Sequence, residues 1–441
     1  MPRMKILILG ATGFIGSEVV RSLHGRGHAI TGLARSVTRA TDKWPFVTWI
    51  SADLARMTQA SNWNALVGDH DAIVNCAGAL QDGLSDDLAA TQEKAMLALY
   101  EAAAQAGGRL VIQISARTAG AAADLPFLAT KRHADEALTA SGLPYVILRP
   151  ALVVGRNAHG GTALVRALAG CPFILPLVNS TMPVRTVAVD DVAAAVCAAI
   201  DGEVPPGSDL ELAAEETLTL QDMVTTHRQW LGLPPAPVVN LPAALTRPVS
   251  LLADAAGRLG WRSPLRSTAM TVMSEGIIVE SEAQPTMTSL KTLKQTMTSL
   301  KTLKQTLTAH PSGVQDLWFA RSYLLKPLVI LCLSLFWLLS GLIPLLNTNE
   351  AAAHFLAFMP QAPAIALTLA TCLIDIALGV AVLWRPLARK ALIGMLLVSA
   401  VYLTGGSLLE PGLWLDPLGP LVKVLPSIAL TFVALATLDE R

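Results

Sequence analysis

The chain has 441 residues, room for two or three domains, and its 33 basic and 33 acidic side chains leave no net field for holding nucleic acid. With 52% hydrophobic and 15% charged residues and a mean hydropathy of +0.50, a wholly water-soluble protein is excluded; the apolar excess lies after residue 326. The five cysteines, Cys76, Cys171, Cys197, Cys332 and Cys372, are scattered without paired or metal-like spacing, so reduced thiols, no disulfide framework and no metal site are expected.

The first apolar run, Ile6 to Leu9, reads as a buried parallel strand and is too short for a secretory signal. Gly10, Gly13 and Gly16 follow, and the helical pattern Val19, Val20, Leu23 begins at once. Strand, glycine turn and helix N-terminus together form an anion site, with Gly10 for the tight turn, Gly13 for backbone approach to a pyrophosphate and Gly16 for close helix packing. The spacing Gly-x-x-Gly-x-x-Gly differs from the Gly-x-Gly-x-x-Gly fingerprint in its first interval, yet its place between strand and helix favours dinucleotide binding.

Further strands are expected at Ala29 to Ala34, Val47 to Ile50, Ala72 to Cys76, Arg109 to Ser115 and Tyr145 to Leu148. Helices are expected over about Ser85 to Gln105 and Pro126 to Ala140. This alternation predicts an α/β fold, a doubly wound parallel sheet with its ligand at the carboxyl ends of the strands. An acidic residue after the second strand would bind the ribose hydroxyls of NAD. Arg35 stands there instead, with Ser36 and Arg39 nearby, which favours the 2′-phosphate of NADP, a solvated loop cation being the alternative. Asp53 reads either as an adenine contact or as a turn aspartate.

Gly10-Ala-Thr-Gly-Phe-Ile-Gly16, Asp53-Leu54, Asn75-Cys-Ala-Gly78, Ile114-Ser115, Leu148-Arg-Pro150 and Val189-Asp-Asp-Val-Ala193 resemble the extended and atypical short-chain dehydrogenase/reductase superfamily, nearest its epimerase-like branch with the complex I accessory subunit. The resemblance covers about residues 4 to 215. It implies a Rossmann domain binding NADP or NAD, with Thr12, Phe14, Ile15, Leu54, Ala77, Gly78, Lys131 and Pro150 joining the three glycines, Arg35 and Asp53 as cofactor-binding positions. The superfamily's proton chemistry uses a Ser, matched by Ser115, and a Tyr-x-x-x-Lys, whose Lys is matched by Lys131. The Tyr position holds Phe127, which has no proton to give. Three explanations follow: nucleotide binding without turnover, hydride transfer to an acceptor needing no positioned phenol, or a proton from Thr118, Thr130 or His133.

Beyond residue 151, Thr186 to Ile200 reads as a strand and helix returning to the sheet, and Leu218 to Leu231 as a helix with Thr219 as N-cap. Residues 216–285 are read as a small substrate-capping lobe after a nucleotide domain at 1–215. A decapeptide, Thr286 to Gln295, is repeated identically at Thr296 to Gln305. Its Met and Leu stripe flanked by lysines reads as a basic amphipathic linker, 286–311, on an anionic leaflet, or as a duplication in a tolerant linker.

Four apolar stretches close the chain: Leu328 to Leu346, Ala364 to Trp384, Ala391 to Leu409 and Leu418 to Leu438. Each is long enough for roughly 30 Å of hydrocarbon, so an all-α bundle of four transmembrane helices at 312–441 is predicted. Arg321, Lys326, Arg385, Arg389 and Lys390 lie on one side, and residues 347–363 and 410–417 hold no Lys or Arg. The positive-inside rule then puts both termini in the cytoplasm and the chain in the inner membrane as a multi-pass protein. Asp375, the charge in mid-span, should face the bundle, as a proton or quinol contact or as a packing residue. The four-span segment resembles the DoxX-like family, which implies quinone-linked oxidoreduction. The expected partners are the bilayer, a small apolar substrate or quinone, and subunits of a membrane complex. An NAD(P)-binding accessory or sensor subunit is the alternative to an oxidoreductase.

Overall fold

The computed structural model describes residues 3–78, 87–117, 124–274, 300–417 and 419–439. They form two compact units, Met1–Asp254 with Pro264–Leu317, and Ala255–Ser263 with Trp318–Arg441.

In the first unit, β1 (Lys5–Leu9) is a continuous apolar run with Ile6, Leu7, Ile8 and Leu9 all fully buried. Such a run marks a strand covered on both faces. Ile6 and Ile8 pack with Val19, Val20 and Leu23 of α1 (Phe14–Gly25), while Leu7 and Leu9 turn to the opposite face. The sheet continues with β2 (Ala29–Ala34), β3 (Thr48–Ser51) and β4 (Ala72–Asn75). After α2 (Ala95–Gln105) come β5 (Leu110–Ile114), α3 (Pro126–Ala140), β6 (Tyr145–Pro150), α4 (Val189–Ile200) and β7 (Ser208–Leu212). The seven strands run parallel in the order β7-β6-β5-β4-β1-β2-β3. Helices α1 and α4 cover one face, and α2 and α3 the other. The strand order reverses between β1 and β4, and the crevice at their carboxyl ends is where such sheets place ligands.

The predicted doubly wound sheet is present, with three departures. The strand expected at Thr186 does not return to this sheet; Thr186–Ala188 pairs in parallel with Leu152–Val154 in a separate two-stranded sheet. Strand β7 was not among the expected strands; its Ser-Asp-Leu-Glu-Leu sequence alternates buried and exposed residues, as an edge strand does. The helix expected from Ser85 begins, among described residues, with a π-helical turn at Ala89–Lys94 before α2; residues 85 and 86 lie outside the described residues. Thr219 caps α5 (Leu220–Trp230) through a capping box with Asp222, as expected.

Most of the duplicated linker, residues 286–299, lies outside the described residues. The rest contradicts a leaflet-bound stripe. Thr302 caps α6 (Leu303–Ala309) with Gln305, and Leu303 and Leu307 are buried in the first unit. Lys301 pairs with Asp190 at 3.2 Å, His310 meets the same carboxylate at 3.2 Å, and the Trp230 indole donates to the His310 carbonyl at 2.8 Å. The two stripe residues shown buried, Leu303 and Leu307, thus have no lipid to meet.

The second unit holds α7 (Leu325–Leu346), α8 (Gln361–Ala381), α9 (Arg385–Leu409) and α10 (Val424–Thr437). The first three are long and apolar enough to cross a membrane, and two thirds or more of each apolar window faces outward. The fourth differs from its expectation: Leu418 lies outside the described residues, and α10 is a 14-residue helix entered through turns. Close packing of α7 on α8 depends on Gly341 and Gly379. A methyl on Gly379 would sit 2.9 Å from a Leu338 side-chain carbon, and one on Gly341 would press on the Cys372 carbonyl. Trp261, from the stretch read as a capping lobe, belongs to this unit and donates to the Leu383 carbonyl at 2.6 Å.

Candidate functional site

Gly10 has a φ of +69°, open to glycine but strained for other residues, and a methyl on it would lie 2.8 Å from the Ala77 Cα. The turn after β1 is thus pressed against the Cys76-Ala77-Gly78 run after β4, at the switch point of the sheet. The Gly13 amide donates to the Gly10 carbonyl at 2.9 Å, and a methyl on Gly16 would collide with that carbonyl. No side chain caps α1, so the amides of its first turn are left to a ligand. These are the features a pyrophosphate requires. Thr12 and Gly13 are exposed here, and Phe14 stacks on His159 at 6.0 Å. Ile15 instead packs against the core, so only its backbone belongs to the cradle.

Arg35 is exposed at the carboxyl end of β2. Asp53 caps the turn Leu54–Arg56 by accepting from the Ala55 amide at 3.2 Å, which realises the turn-aspartate alternative, and Leu54 is buried. The Ala77 amide donates to Asn75 Oδ1 at 3.0 Å, and Asn75 is itself fixed by donating to Gln113 at 2.9 Å. Pro150 ends β6 beside β5.

Helix α3 starts on Pro126, a residue suited to a first turn, and carries Phe127, Lys131 and Asp135 at four-residue intervals on one face. Lys131 is buried, donates to the Ile114 carbonyl at 3.1 Å and lies 3.7 Å from where a Gly78 Cβ would be. Its Nζ stands 5.9 Å from the Phe127 ring centroid. Ser115 is buried after β5, and its hydroxyl lies 2.5 Å from Asp135 Oδ2. Arg149, at the end of β6, reaches Asp135 at 2.9 Å and grips Asp209 of β7 with two bonds of 2.8 and 2.9 Å.

Burial sets the electrostatics. It lowers the Lys131 pKa against the pull of Asp135, and it raises the Asp135 carboxyl against Arg149 and the Ser115 hydrogen bond. Burial likewise pushes the Cys76 thiol up to about 12, with Lys131 opposing.

The structure brings Ser115, Lys131 and Phe127 together beside the glycine cradle. The alternative proton sources fare differently. Thr130 donates back to the Pro126 and Phe127 carbonyls of its own helix, and His133 faces Glu93 at 3.3 Å. Thr118 lies outside the described residues. Asp135 and Arg149 were not singled out as site residues; the signal that could have found Asp135 was its place four residues beyond Lys131.

A family model described as NAD(P)H-binding matches residues 10–203, and one described as DoxX-like family matches residues 334–432. The chain is 29% identical over 272 residues to a 3-diazoavenalumate denitrifying reductase of Streptomyces, covering 55% of this chain and 86% of that protein. It is 26% identical over 198 residues to a ceramide reductase of Caulobacter vibrioides, covering 44% and 60%. An uncharacterized protein of Mycobacterium tuberculosis is 27% identical over 239 residues, 53% of this chain; the chain spans about a quarter of the length of that relative, 24%. Among solved structures, the Bordetella bronchiseptica enzyme WbmH in complex with NAD+ superposes with a TM-score of 0.51 at 18% identity, over 70% of this chain and 97% of that one. A putative epimerase from Burkholderia cenocepacia gives 0.51 at 18%, over 73% and 99%. At such identity the likeness shows the fold. The first unit thus has the Rossmann fold and is similar to the NAD(P)H-binding family over residues 10–203, the C-terminal part is similar to the DoxX-like family, and its three long apolar helices point to membrane association.

Proposed function

We propose that the protein is a membrane-anchored reductase that uses NADPH to reduce an apolar acceptor, a quinone or a lipid carbonyl. One observation carries this reading: an uncapped glycine cradle with Lys131 beside it shares a chain with helices whose apolar side chains face outward. A tether to the bilayer raises the effective concentration of a substrate dissolved there. The relatives named as reductases support the reaction class, and the ceramide reductase supports a lipid acceptor. Arg35 supports NADPH over NADH.

The nicotinamide cofactor, when bound, supplies the hydride. The residues of this chain do the rest. The α1 amides would hold its diphosphate, Lys131 places a cation beside Gly78, and Phe127 keeps an apolar wall where a phenol would stand.

The helical region lies in the inner membrane as a multi-pass bundle with both termini in the cytoplasm. The packing at one end of the bundle supports this. Lys326 at the start of α7 and Arg385 at the start of α9 both donate to the Leu438 carbonyl, and Arg389 pairs with Asp439 at 2.7 Å. The end of α10 therefore meets the starts of α7 and α9 at the basic end, the arrangement of an up-down bundle.

A second reading, a nucleotide-binding accessory or sensor subunit of a membrane complex, is favoured by Phe127. The experiment that separates them uses the full chain in detergent. NADPH and NADH are titrated by fluorescence, then decylubiquinone or a long-chain ketone is added and nicotinamide absorbance is followed. NADPH binding with acceptor-dependent oxidation is expected; binding without oxidation by either acceptor assigns the accessory role.

A further inference from the structure

Position 127, where the resembled superfamily carries its tyrosine, holds Phe, and a buried carboxyl, Asp135, stands beside the serine. Asp135 is 3% exposed, and its Oδ2 lies 2.5 Å from the Ser115 hydroxyl oxygen, a length typical of a hydrogen bond involving an ionised or proton-sharing oxygen. Its other oxygen, Oδ1, is buried without a hydrogen-bond partner. A buried carboxylate oxygen left bare is costly, and a proton on the group removes most of that cost. Arg149 opposes protonation from 2.9 Å on the same Oδ2, while its Nε and Nη2 are taken by Asp209 through two bonds.

We propose that Asp135 is the proton reservoir of this site and acts through the Ser115 hydroxyl, in place of the phenol absent at position 127. The proposal rests on the reductase reading above. With Asp135 ionised, Ser115 donates to it and has no hydrogen for a substrate. With Asp135 protonated, the carboxyl donates to Ser115 Oγ, and the Ser115 hydrogen turns toward the acceptor. When a carbonyl carbon receives hydride from the nicotinamide, its oxygen takes the Ser115 proton. Ser115 takes the Asp135 proton, and Asp135 is left as a carboxylate that solvent reprotonates. The carbonyl is reduced, the nicotinamide is oxidised, and one proton is consumed. Asp135 is a positioning and relay residue; Ser115 is the group that touches substrate.

The groups facing the carboxyl are Lys131 from the same helix, Arg149 from β6 and Asp209 from β7, with the Tyr100 phenol of α2 nearby. Burial raises the Asp135 pKa above its ordinary value against Arg149, the Ser115 hydrogen bond and Lys131, with Asp209 adding to the rise.

Two readouts test the relay, both on the full chain in detergent. The first needs no turnover: infrared titration of the unliganded protein should show a protonated carboxyl band persisting above the ordinary aspartate range. That band should vanish in Asp135→Asn and shift in frequency in Ser115→Ala. A band indifferent to Ser115→Ala, or no raised carboxyl at all, overturns the relay. The second is NADPH oxidation with a long-chain ketone. Asp135→Asn should lower kcat at least tenfold with KM for NADPH little changed, and should abolish the fall in rate as pH rises through the Asp135 pKa. Asp135→Glu should restore part of the rate. In a Phe127→Tyr background the Asp135→Asn loss should shrink, because the phenol then supplies the proton; equal losses in both backgrounds overturn the relay. No oxidation by the unaltered chain would overturn the reductase reading instead, while the titration alone decides whether Asp135 and Ser115 share a proton.

Discussion

Tyr402, on the third apolar helix, donates its phenolic hydrogen to Asp375 Oδ1 on the second at 2.8 Å, and Ser340 of the first donates to Oδ2 at 2.7 Å. One carboxyl thus ties three helices together, and it is 3% exposed. The mid-span charge faces the interior, as its cost in hydrocarbon requires. Asp375→Leu would leave two hydroxyls without their acceptor, a loss of about 1–3 kcal/mol. Thermal unfolding in detergent should show a lowered midpoint for Asp375→Leu, a smaller drop for Asp375→Asn, which keeps an acceptor oxygen, and the least for Tyr402→Phe.

His227 of α5 is fully buried, its Nδ1 faces the Met223 carbonyl at 2.8 Å, and its Nε2 is buried without a partner. Burial lowers its pKa from 6.5 to about 4, with Arg166 adding repulsion. The unfolded chain therefore binds a proton between those values that the folded chain refuses, and stability falls as pH drops through that window. A shift of this size corresponds to about 3 kcal/mol. Chemical denaturation from pH 7 to pH 4 should show that loss, and His227→Gln should flatten the slope.

The glycine cradle makes a graded prediction. A methyl on Gly16 meets backbone that cannot yield, whereas one on Gly13 has its nearest neighbour, the Gly10 oxygen, at 3.1 Å. Gly16→Ala should cost about 1–3 kcal/mol of stability and abolish nucleotide binding. Gly13→Ala should keep the fold and weaken NADPH binding, which calorimetry and fluorescence titration separate.

Arg35 decides the cofactor. Arg35→Asp places a carboxylate at the end of β2, where it would repel a 2′-phosphate and accept from ribose hydroxyls. NADPH affinity should drop about tenfold or more and NADH affinity should rise, measured by parallel fluorescence titrations. Equal affinities before and after the change would remove Arg35 from the specificity argument.

The elements legible in the sequence were those with a local cause. Pro126 at a first turn, Thr219 at a cap and the unbroken apolar run of β1 each fixed a boundary without help from distant residues. Ser115 and Lys131 were found because their spacing belongs to a known pattern. Asp135 was not, because a carboxyl on a helix reads as a solvated face until β5 and β6 are seen to close over it. Strand β7 was missed for a related reason: among the described residues it has one neighbour in the sheet, and two of its five residues, Asp209 and Glu211, are exposed. The shortness of α10 was equally hidden, since an apolar composition says nothing about where turns at residues 419–423 give way to helix.

The second copy of the decapeptide supplies Lys301, Thr302 and Leu303 to the fastening on Asp190 and to the start of α6. Because the copies are identical, excising Thr286 to Gln295 would leave the same letters at every one of those stations. The repeat therefore adds ten residues ahead of Lys301 without altering the residues that meet Asp190, and a chain shortened by that copy should keep Lys301 paired with Asp190.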